Sequence, residues 1–508
     1  MSETAFLEEG AGGVRTYLGV YFGAAYLALL ATPLVICLAR RIGAVDHPSA
    51  RSVHTQPIPR IGGVAIYLSS LGVIVLVLVL DDAVGRTFHD VQLQMAALLS
   101  FATAVFLVGL IDDLHGLPAP FKFLAELLGA GVLYLAGIRI GTIGLGEGTA
   151  IHLGWLGCPL TLLWIVGLTN AVNLSDGLDG LAAGVAAITC GVIAIFAIHS
   201  SAIHTGEPRD NDVLMALFAL ALLGSLSGFL FFNFHPAKVF MGDCGSLFIG
   251  FTIASASVMC VSKSAALVGL TLPALALGIP IFDTLFSMLR RFLERRSLFA
   301  PDRRHFHHRL LELGLNQRRA VMIIYGATLA AAGLGVVTMT SSDIHALLVF
   351  AIVLGLIVLL FRVVGIIGLR ETLQRLQSKY RYSHRVRADT RTFENLQLQF
   401  RQIQDARQWW QAICETAHQM DFAWVSLTTT HEDGRIEEQW WRAPEAAPWP
   451  KAMVVVHIPV RQAGPGRTLH LKLALVADSS LETAGRRVAL FGRLLDEDGP
   501  VLAACKGK

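Results

Sequence analysis

The chain has 508 residues, of which 54% are hydrophobic and only 16% charged, with a formal net charge of +3. That balance excludes an ordinary soluble protein, gives no reason to expect a nucleic-acid partner, and fits a polytopic protein of the lipid bilayer. Cys37, Cys158, Cys190, Cys244, Cys260, Cys414 and Cys505 are scattered, odd in number and never spaced C-x-x-C, so neither a disulfide framework nor a zinc site follows.

Glu3, Glu8 and Glu9 precede the first apolar run, whereas a cleaved signal peptide would begin basic. Runs long enough to span a bilayer fall at about 17–39, 62–80, 93–111, 120–137, 155–171, 180–199, 213–234, 245–262, 265–289, 319–338 and 344–368. The expected fold is therefore a polytopic α-helical membrane protein of about eleven transmembrane helices, followed by a small C-terminal cytosolic α+β domain. The loop after the first run holds Arg40, Arg41, Arg51 and Arg60, and the loop after the ninth holds nine arginines from Arg290 to Arg319. Opposite loops carry only Arg86, Arg139, Arg209 and Lys263. The basic side is expected to be cytoplasmic, with the C-terminal domain on that side.

Polar clusters then appear in order on the cytoplasmic side. Asp46-His-Pro48 through Arg51, His54, Pro57, Pro59 and Arg60 to Gly62-Gly63 reads as a rigid, basic entrance. Asp112 and Asp113 close the third run, followed by Gly116 and Lys122. Adjacent carboxylates repel unless they share a cation or proton, and magnesium favours a few carboxylates with phosphate oxygens. A solvated helix end could carry the same pair. Asn170, Asn173, Asp176 and Asp179 recur at every third position between two membrane runs, giving one polar stripe per helical turn. Such residues are costly in hydrocarbon and mark function by default.

The run Phe232-Asn233-Phe234-His235-Pro236-Ala237-Lys238-Val239-Phe240-Met241-Gly242-Asp243-Cys244-Gly245-Ser246 is more specific. Asp243 sits between glycines, where its carboxylate can reach a metal or phosphate uncrowded. Gly245-Ser246 opens a helix whose N-terminal dipole favours anions, and Lys238 adds a point charge suited to phosphate. Pro301-Asp302-Arg303-Arg304-His305-Phe306-His307-His308-Arg309-Leu310 reads as polyanion-binding, since neighbouring arginines oppose a metal ion. Positive-inside bias would explain its arginines but not three clustered histidines.

From about 370 the chain loses its continuous apolar character. Residues 369–408 read as a juxtamembrane helical linker whose Lys379, Arg381, Arg385, Arg387 and Arg391 suit either anionic headgroups or a solvated helix face. Residues 409–508 read as helix, four strands and helix, a GAF-like order that implies no ligand.

Taken together, the motifs between about residues 40 and 320 resemble those of the polyprenyl-phosphate N-acetylhexosamine-1-phosphate transferase family, of MraY/WecA type, five motifs falling in the family's order. The resemblance makes residues 1–368 the transferase domain and leaves the C-terminal domain without a role. It implies transfer of a sugar-1-phosphate from a UDP-sugar to undecaprenyl phosphate, with release of UMP and a need for Mg2+, for which Mn2+ can substitute. Phe306 interrupts the histidines as in the WecA-like branch, which favours UDP-N-acetylglucosamine over the muramoyl-pentapeptide substrate and leaves other acetamido sugars as alternatives.

By the same resemblance Asp243 and Asp112 bind the metal, and Asp112 and Asp113 stand at the lipid phosphate. Asn173, Asp176, Asp179 and Phe240 hold the uridine diphosphate, and His305, His307, His308 and Arg309 the sugar-phosphate end. Asn233, Lys238, Arg60 and Lys122 complete the substrate-binding set. Phosphate monoesters are already mostly dianionic at neutral pH, so Asp112 is expected to orient the acceptor or act as a weak base. A covalent phospho-aspartate route stays open. The expected place is the bacterial inner membrane, with a cytosolic active site; a homodimer is compatible with it. A lipid-linked sugar transporter, the rival class, would set its polar groups at the membrane midplane on repeated broken helices, and no internal repeat is visible.

Overall fold

The computed structural model describes residues 3–48, 56–80, 88, 91–144, 150–203, 210–261, 266–294, 297, 305–338, 343–364, 393–401, 403, 405–431, 433–444, 453–460, 467–476 and 481–498. Arg51, His54, Arg86, Arg209, Lys263, Arg303, Arg304 and the linker's Lys379, Arg381, Arg385, Arg387 and Arg391 lie outside these. The chain divides into two units, Met1–Gly368 and Leu369–Lys508.

In the first unit each apolar run coincides with a helix or a bent pair of helices. These are α1 (Glu3–Ile42), α2 (Gly63–Leu80), α3 (Gln92–His115), α4 (Ala119–Leu135), α5 (Gly157–Ser175), α6 (Leu181–Ile203), α7 (Asp210–Asn233) and α8 (Gly242–Val261). The pair α9 (Ala266–Ala276) and α10 (Gly278–Leu293) follows, then the short α11 (Phe306–Glu312), α12 (Gln317–Thr338) and α13 (Asp343–Val363). Among the described residues, 8 helices are long and apolar enough to cross a membrane, and up to 9 if the pair bent by 77° is one span. The fourth run makes a helix of only 17 residues, opened by Pro118 and Pro120. Helix α13 is 21 residues long, and Leu348–Val363 is the part of it whose side chains are described. Two short hairpins, β1 (Val45–Asp46) with β2 (Ile58–Pro59) and β3 (Thr142–Gly144) with β4 (Ala150–His152), complete the unit.

Helix α8 is the axis of this bundle. In its apolar window 89% of residues are buried, against 28% for α1 at the rim. Helices α1 and α7 approach closely because α7 carries small residues one turn apart, in the manner of membrane helix pairs. A side chain at Gly228 would meet the Ala25 carbonyl oxygen at 2.4 Å. The consequence for function is positional: the N-terminus of the most enclosed helix is where Asp243 sits.

The second unit contains α14 (Ala406–Gln419), the strands β5 (Phe422–His431), β6 (Ile436–Arg442), β7 (Met453–Val460) and β8 (Arg467–Val476), and α15 (Leu481–Asp498). The sheet order is β6-β5-β8-β7, and all three pairings are antiparallel. Asp405 caps α14 by accepting from the Gln408 amide at 2.7 Å. Alternation along β5 and β8 sends Val425, Leu427, Leu471 and Leu473 to one face, where they join Trp409, Ile413, Phe491 and Leu494 of the helices. The opposite face carries Trp424 and Trp440, with ring centroids 5.3 Å apart.

Candidate active site

The polar clusters that lie far apart in sequence meet at one end of the bundle. Helices α3 and α5 bring their C-terminal ends there, and α4 and α8 their first turns. The segment before Gly63 is laid against the turn before α8 by main-chain bonds. Phe240 N donates to Pro59 O at 2.7 Å, Gly62 N to Phe240 O at 2.9 Å, and Gly63 N to Met241 O at 2.7 Å. Gly242 has φ +74, and a side chain there would meet Arg60 O at 2.0 Å, so only glycine allows this crossing.

Two carboxylates and one amine form the centre. Lys122 Nζ donates to Asp243 Oδ2 at 2.5 Å and to Asp112 Oδ2 at 3.0 Å. The other Asp112 oxygen accepts from Leu117 N, so the loop after α3 holds that carboxylate in place. Asn173 Nδ2 reaches Asp243 Oδ1 at 3.2 Å and Ser246 Oγ at 2.9 Å. Asp113, next in sequence to Asp112, points elsewhere and accepts from the backbone amides of Asp243 and Cys244 at 3.0 and 2.9 Å. It thereby satisfies two of the free amides that open α8 and lends its charge to the positive end of the helix. Its first task is to position Asp243.

This centre opens on a cavity of about 780 Å³. Asp113, Asp176, Asp243, Arg60, Lys238 and His308 are on its wall, with Phe240, Asp179 and Asn233. The Arg60 Nε is buried without a hydrogen-bond partner among the described residues, a donor matched to an anion. Arg40, Asp46 and Gln317 also line the cavity; Asp46 belongs to the entrance read from the sequence, whereas Arg40 and Gln317 are not in the expected substrate-binding set.

Two wall residues are engaged in bracing. Asn233 accepts from Gly180 N at 3.1 Å and donates to Val239 O at 2.9 Å. Asp179 Oδ2 pairs with His235 Nδ1 at 2.7 Å and accepts from Ala237 N at 3.1 Å, which pins the turn after α7 to the turn after α5.

The histidine loop divides, which corrects its reading as one anion-binding patch. Adjacent residues of a helix point about 100° apart, so neighbours within the motif meet different surroundings. His308 faces the cavity. His305 is buried, its Nδ1 3.0 Å from Asp283 Oδ2, while Asp283 Oδ1 accepts from Phe306 N at 2.9 Å. His307 is buried against Gly177, and burial, then His308 and His305, pushes its imidazole down to about 3. It is neutral at physiological pH and carries no charge for a phosphate. Arg309 turns outward to Glu312 Oε2 at 2.6 Å and Val364 O at 3.3 Å, away from the cavity wall.

Asp283 and Glu126 are two buried carboxylates near the site that sequence reasoning passed over. A signal for the first existed: Asp283, Thr284, Ser287 and Arg291 recur at helical spacing inside an otherwise apolar run, and all four are buried on α10. Glu126 carried the general signal of any acid within a membrane run.

Asp176 is crowded by burial first and then by Asp243, Asp113 and Asp179, which together push its carboxyl up to about 8. The folded protein therefore holds a proton there that the unfolded chain, with a carboxyl near about 4, has lost, so stability falls as pH rises across that window. His307 acts in the opposite sense: its folded value lies below the unfolded value of about 6.5, so it favours folding as pH rises, up to that value. The two slopes oppose one another below about 6.5, and that of Asp176 continues above it. Thermal stability of the purified protein is expected to fall between roughly pH 6.5 and 8.5, and Asp176→Asn should flatten that fall. A curve unchanged by the substitution would remove Asp176 as its cause.

Whether a divalent ion suits this centre can be judged from its donors. Oxygen atoms of Asp112 and Asp243 converge on one cation, the Lys122 ammonium. Among the described residues no group of three or more His, Cys, Asp or Glu side chains could hold a metal alone. Magnesium commonly takes one or two carboxylates and completes its shell with water and phosphate oxygens, so this hard, two-carboxylate set fits it.

A multi-pass membrane protein with a carboxylate–lysine centre beneath a cation-walled cavity defines the class: a membrane enzyme handling phosphorylated substrates. The family model for glycosyl transferase family 4 matches residues 95–261, which run from the first turn of α3 to the end of α8 and include Asp112, Asp113, Lys122, Asn173, Asp176 and Asp243. The chain is 41% identical over 298 residues to a probable undecaprenyl-phosphate N-acetylglucosaminyl 1-phosphate transferase of Bacillus subtilis, covering 58% of this chain and 78% of the relative. It is 39% identical over 339 residues to a decaprenyl-phosphate N-acetylglucosaminephosphotransferase of Mycobacterium leprae, covering 63% and 83%. It is 31% identical over 333 residues to a phospho-N-acetylmuramoyl-pentapeptide-transferase of Bacillus subtilis, covering 61% and 94%. The chain belongs to the polyprenyl-phosphate N-acetylhexosamine-1-phosphate transferase family.

Proposed function

We propose that the protein transfers N-acetylglucosamine-1-phosphate from its UDP-sugar to undecaprenyl phosphate, releasing UMP, at the cytosolic face of the bacterial inner membrane. The product would begin a cell-envelope glycan. The observation that carries this reading is the convergence of Asp112, Asp243 and Lys122 beside a cavity walled by Arg60, Lys238 and His308. Identities of 41% and 39% to relatives named for N-acetylglucosamine support the choice of sugar. All eleven helical runs are taken to cross the bilayer, which puts the basic loops and this centre on one side.

In this reaction an oxygen of the lipid phosphate bonds to the β-phosphorus of the UDP-sugar, and the bond from that phosphorus to the bridging oxygen breaks to free UMP. Little covalent chemistry is asked of the protein; positioning and charge neutralisation do most of the work. Asp243 and Asp112 would hold Mg2+, whose chemistry is to neutralise charge on the phosphate oxygens. Lys122, fixed between those carboxylates, keeps a positive charge at the reacting centre. Arg60 and Lys238 face the diphosphate, and His308 is the histidine placed to meet the donor. Asp113 and Asn173 position Asp243, and Asp179 and Asn233 hold the wall in shape.

Purified protein with undecaprenyl phosphate, Mg2+ and a panel of UDP-sugars should release UMP fastest with UDP-N-acetylglucosamine. Flux of a lipid-linked sugar across vesicles without UMP would favour a transporter. No UMP from any donor would overturn the reading.

A further inference from the structure

Glu126 is 1% exposed and lies one helical turn beyond Lys122 on α4, so the two share a face. The transfer chemistry described above makes no use of it. A carboxylate inside a membrane bundle persists only if it is hydrogen-bonded, and here Glu126 Oε2 accepts from the Asn170 amide of α5. The Asn170 Nδ2 also donates to Val166 O at 2.9 Å, which fixes the amide on its own helix. One turn further along α5, Asn173 grips Asp243 and Ser246 on α8. Helix α5 thus holds α4 at Asn170 and α8 at Asn173. Helix α4 packs mainly on α3 and α5 and touches α8 little, so those two neighbours set the height of Lys122 relative to Asp243, and Asn170 is the side-chain tie on the α5 side.

We propose that Glu126 is a positioning residue: through Asn170 it ties α4 to α5 and thereby holds the Lys122 ammonium between Asp112 and Asp243. Its effect on turnover rests on the transferase reading, whereas the clamp itself does not. The test therefore begins with a measurement that needs no substrate. Full-length protein in detergent is treated with an amine-acylating reagent, and labelling of Lys122 is followed by mass spectrometry, with exposed Lys238 as reference.

Glu126→Leu should raise the Lys122 labelling rate about fivefold or more relative to Lys238, because a local tie has been cut. Glu126→Gln keeps an acceptor for Asn170 and should stay within about twofold of the parent. Asn170→Leu should reproduce the effect of Glu126→Leu, and the double variant should add nothing to either, as members of one link do. Unchanged labelling in Glu126→Leu overturns the clamp. An equal rise in Glu126→Gln also overturns it, since charge rather than the Asn170 bond would then be responsible.

In the UMP assay Glu126→Leu should lose roughly tenfold or more in kcat, with KM for the UDP-sugar within about threefold, and Glu126→Gln should recover most of the loss. If the parent protein releases no UMP, the transferase reading fails while the labelling still decides the clamp.

Discussion

Asp243→Ala is expected to abolish UMP release, by on the order of 10³-fold, while the protein stays folded. The side chain stands at the first turn of the most enclosed helix, and both its oxygens face the reacting centre, one toward Lys122 and one toward Asn173. Removing it deprives a divalent ion of one of two protein carboxylates, and no third carboxylate, imidazole or thiol among the described residues joins them to replace it. The fold should tolerate the change. The α8 amides remain capped by Asp113, and the crowded negative charge around Asp176 is reduced. Two measurements check this. Turnover is followed over a Mg2+ titration, and thermal stability is followed over the same titration without substrate. The parent should be stabilised by Mg2+, as any protein is by a ligand of its native state, and the variant should not. Near-normal turnover, or an intact stabilisation by Mg2+, would remove Asp243 from the metal site.

The helical frame was legible because hydrocarbon imposes one simple demand, long uninterrupted apolar runs, and each run coincides with a helix or a bent pair. Asp112, Asp243 and Asp176 were legible for the complementary reason: acids at the ends of such runs need a compensating partner. What residue types could not disclose is which partner each one meets. Asp112 and Asp113 are neighbours of identical chemistry, yet one meets Lys122 and the other the amides of α8. Asp179 looks equivalent to Asp176 on the every-third-residue stripe, but its carboxylate braces His235 and Ala237. The three histidines form one motif in the sequence and three environments in the fold, because α11 turns each to a different neighbour. Those distinctions depend on contacts between residues as far apart as Asp113 and Cys244, |i−j| 131, and no local pattern encodes them.

Lys122→Met should show that one cation does two jobs in this centre. At present its ammonium lies 2.5 Å from Asp243 and 3.0 Å from Asp112, with all three side chains between 17% and 28% exposed. Methionine fills nearly the same volume but leaves two partly buried carboxylates facing one another. Without divalent ions the variant should lose roughly 2 kcal/mol of stability, the scale of a charge-assisted hydrogen bond left unmade. Adding Mg2+ should restore more stability to the variant than to the parent, because the two carboxylates no longer have a resident cation competing with it. Turnover should fall by about 10²-fold or more, since the positive charge beside the reacting phosphates is absent when charge is redistributed. The combination is diagnostic: apparent Mg2+ affinity rises while kcat falls. A lysine that only braced α4 would lower stability alone, leaving the Mg2+ midpoint and the turnover of the folded fraction as they are in the parent. Weaker Mg2+ binding in Lys122→Met would instead mean that the ammonium organises the carboxylates for the ion, and the competition between the two cations would have to be abandoned.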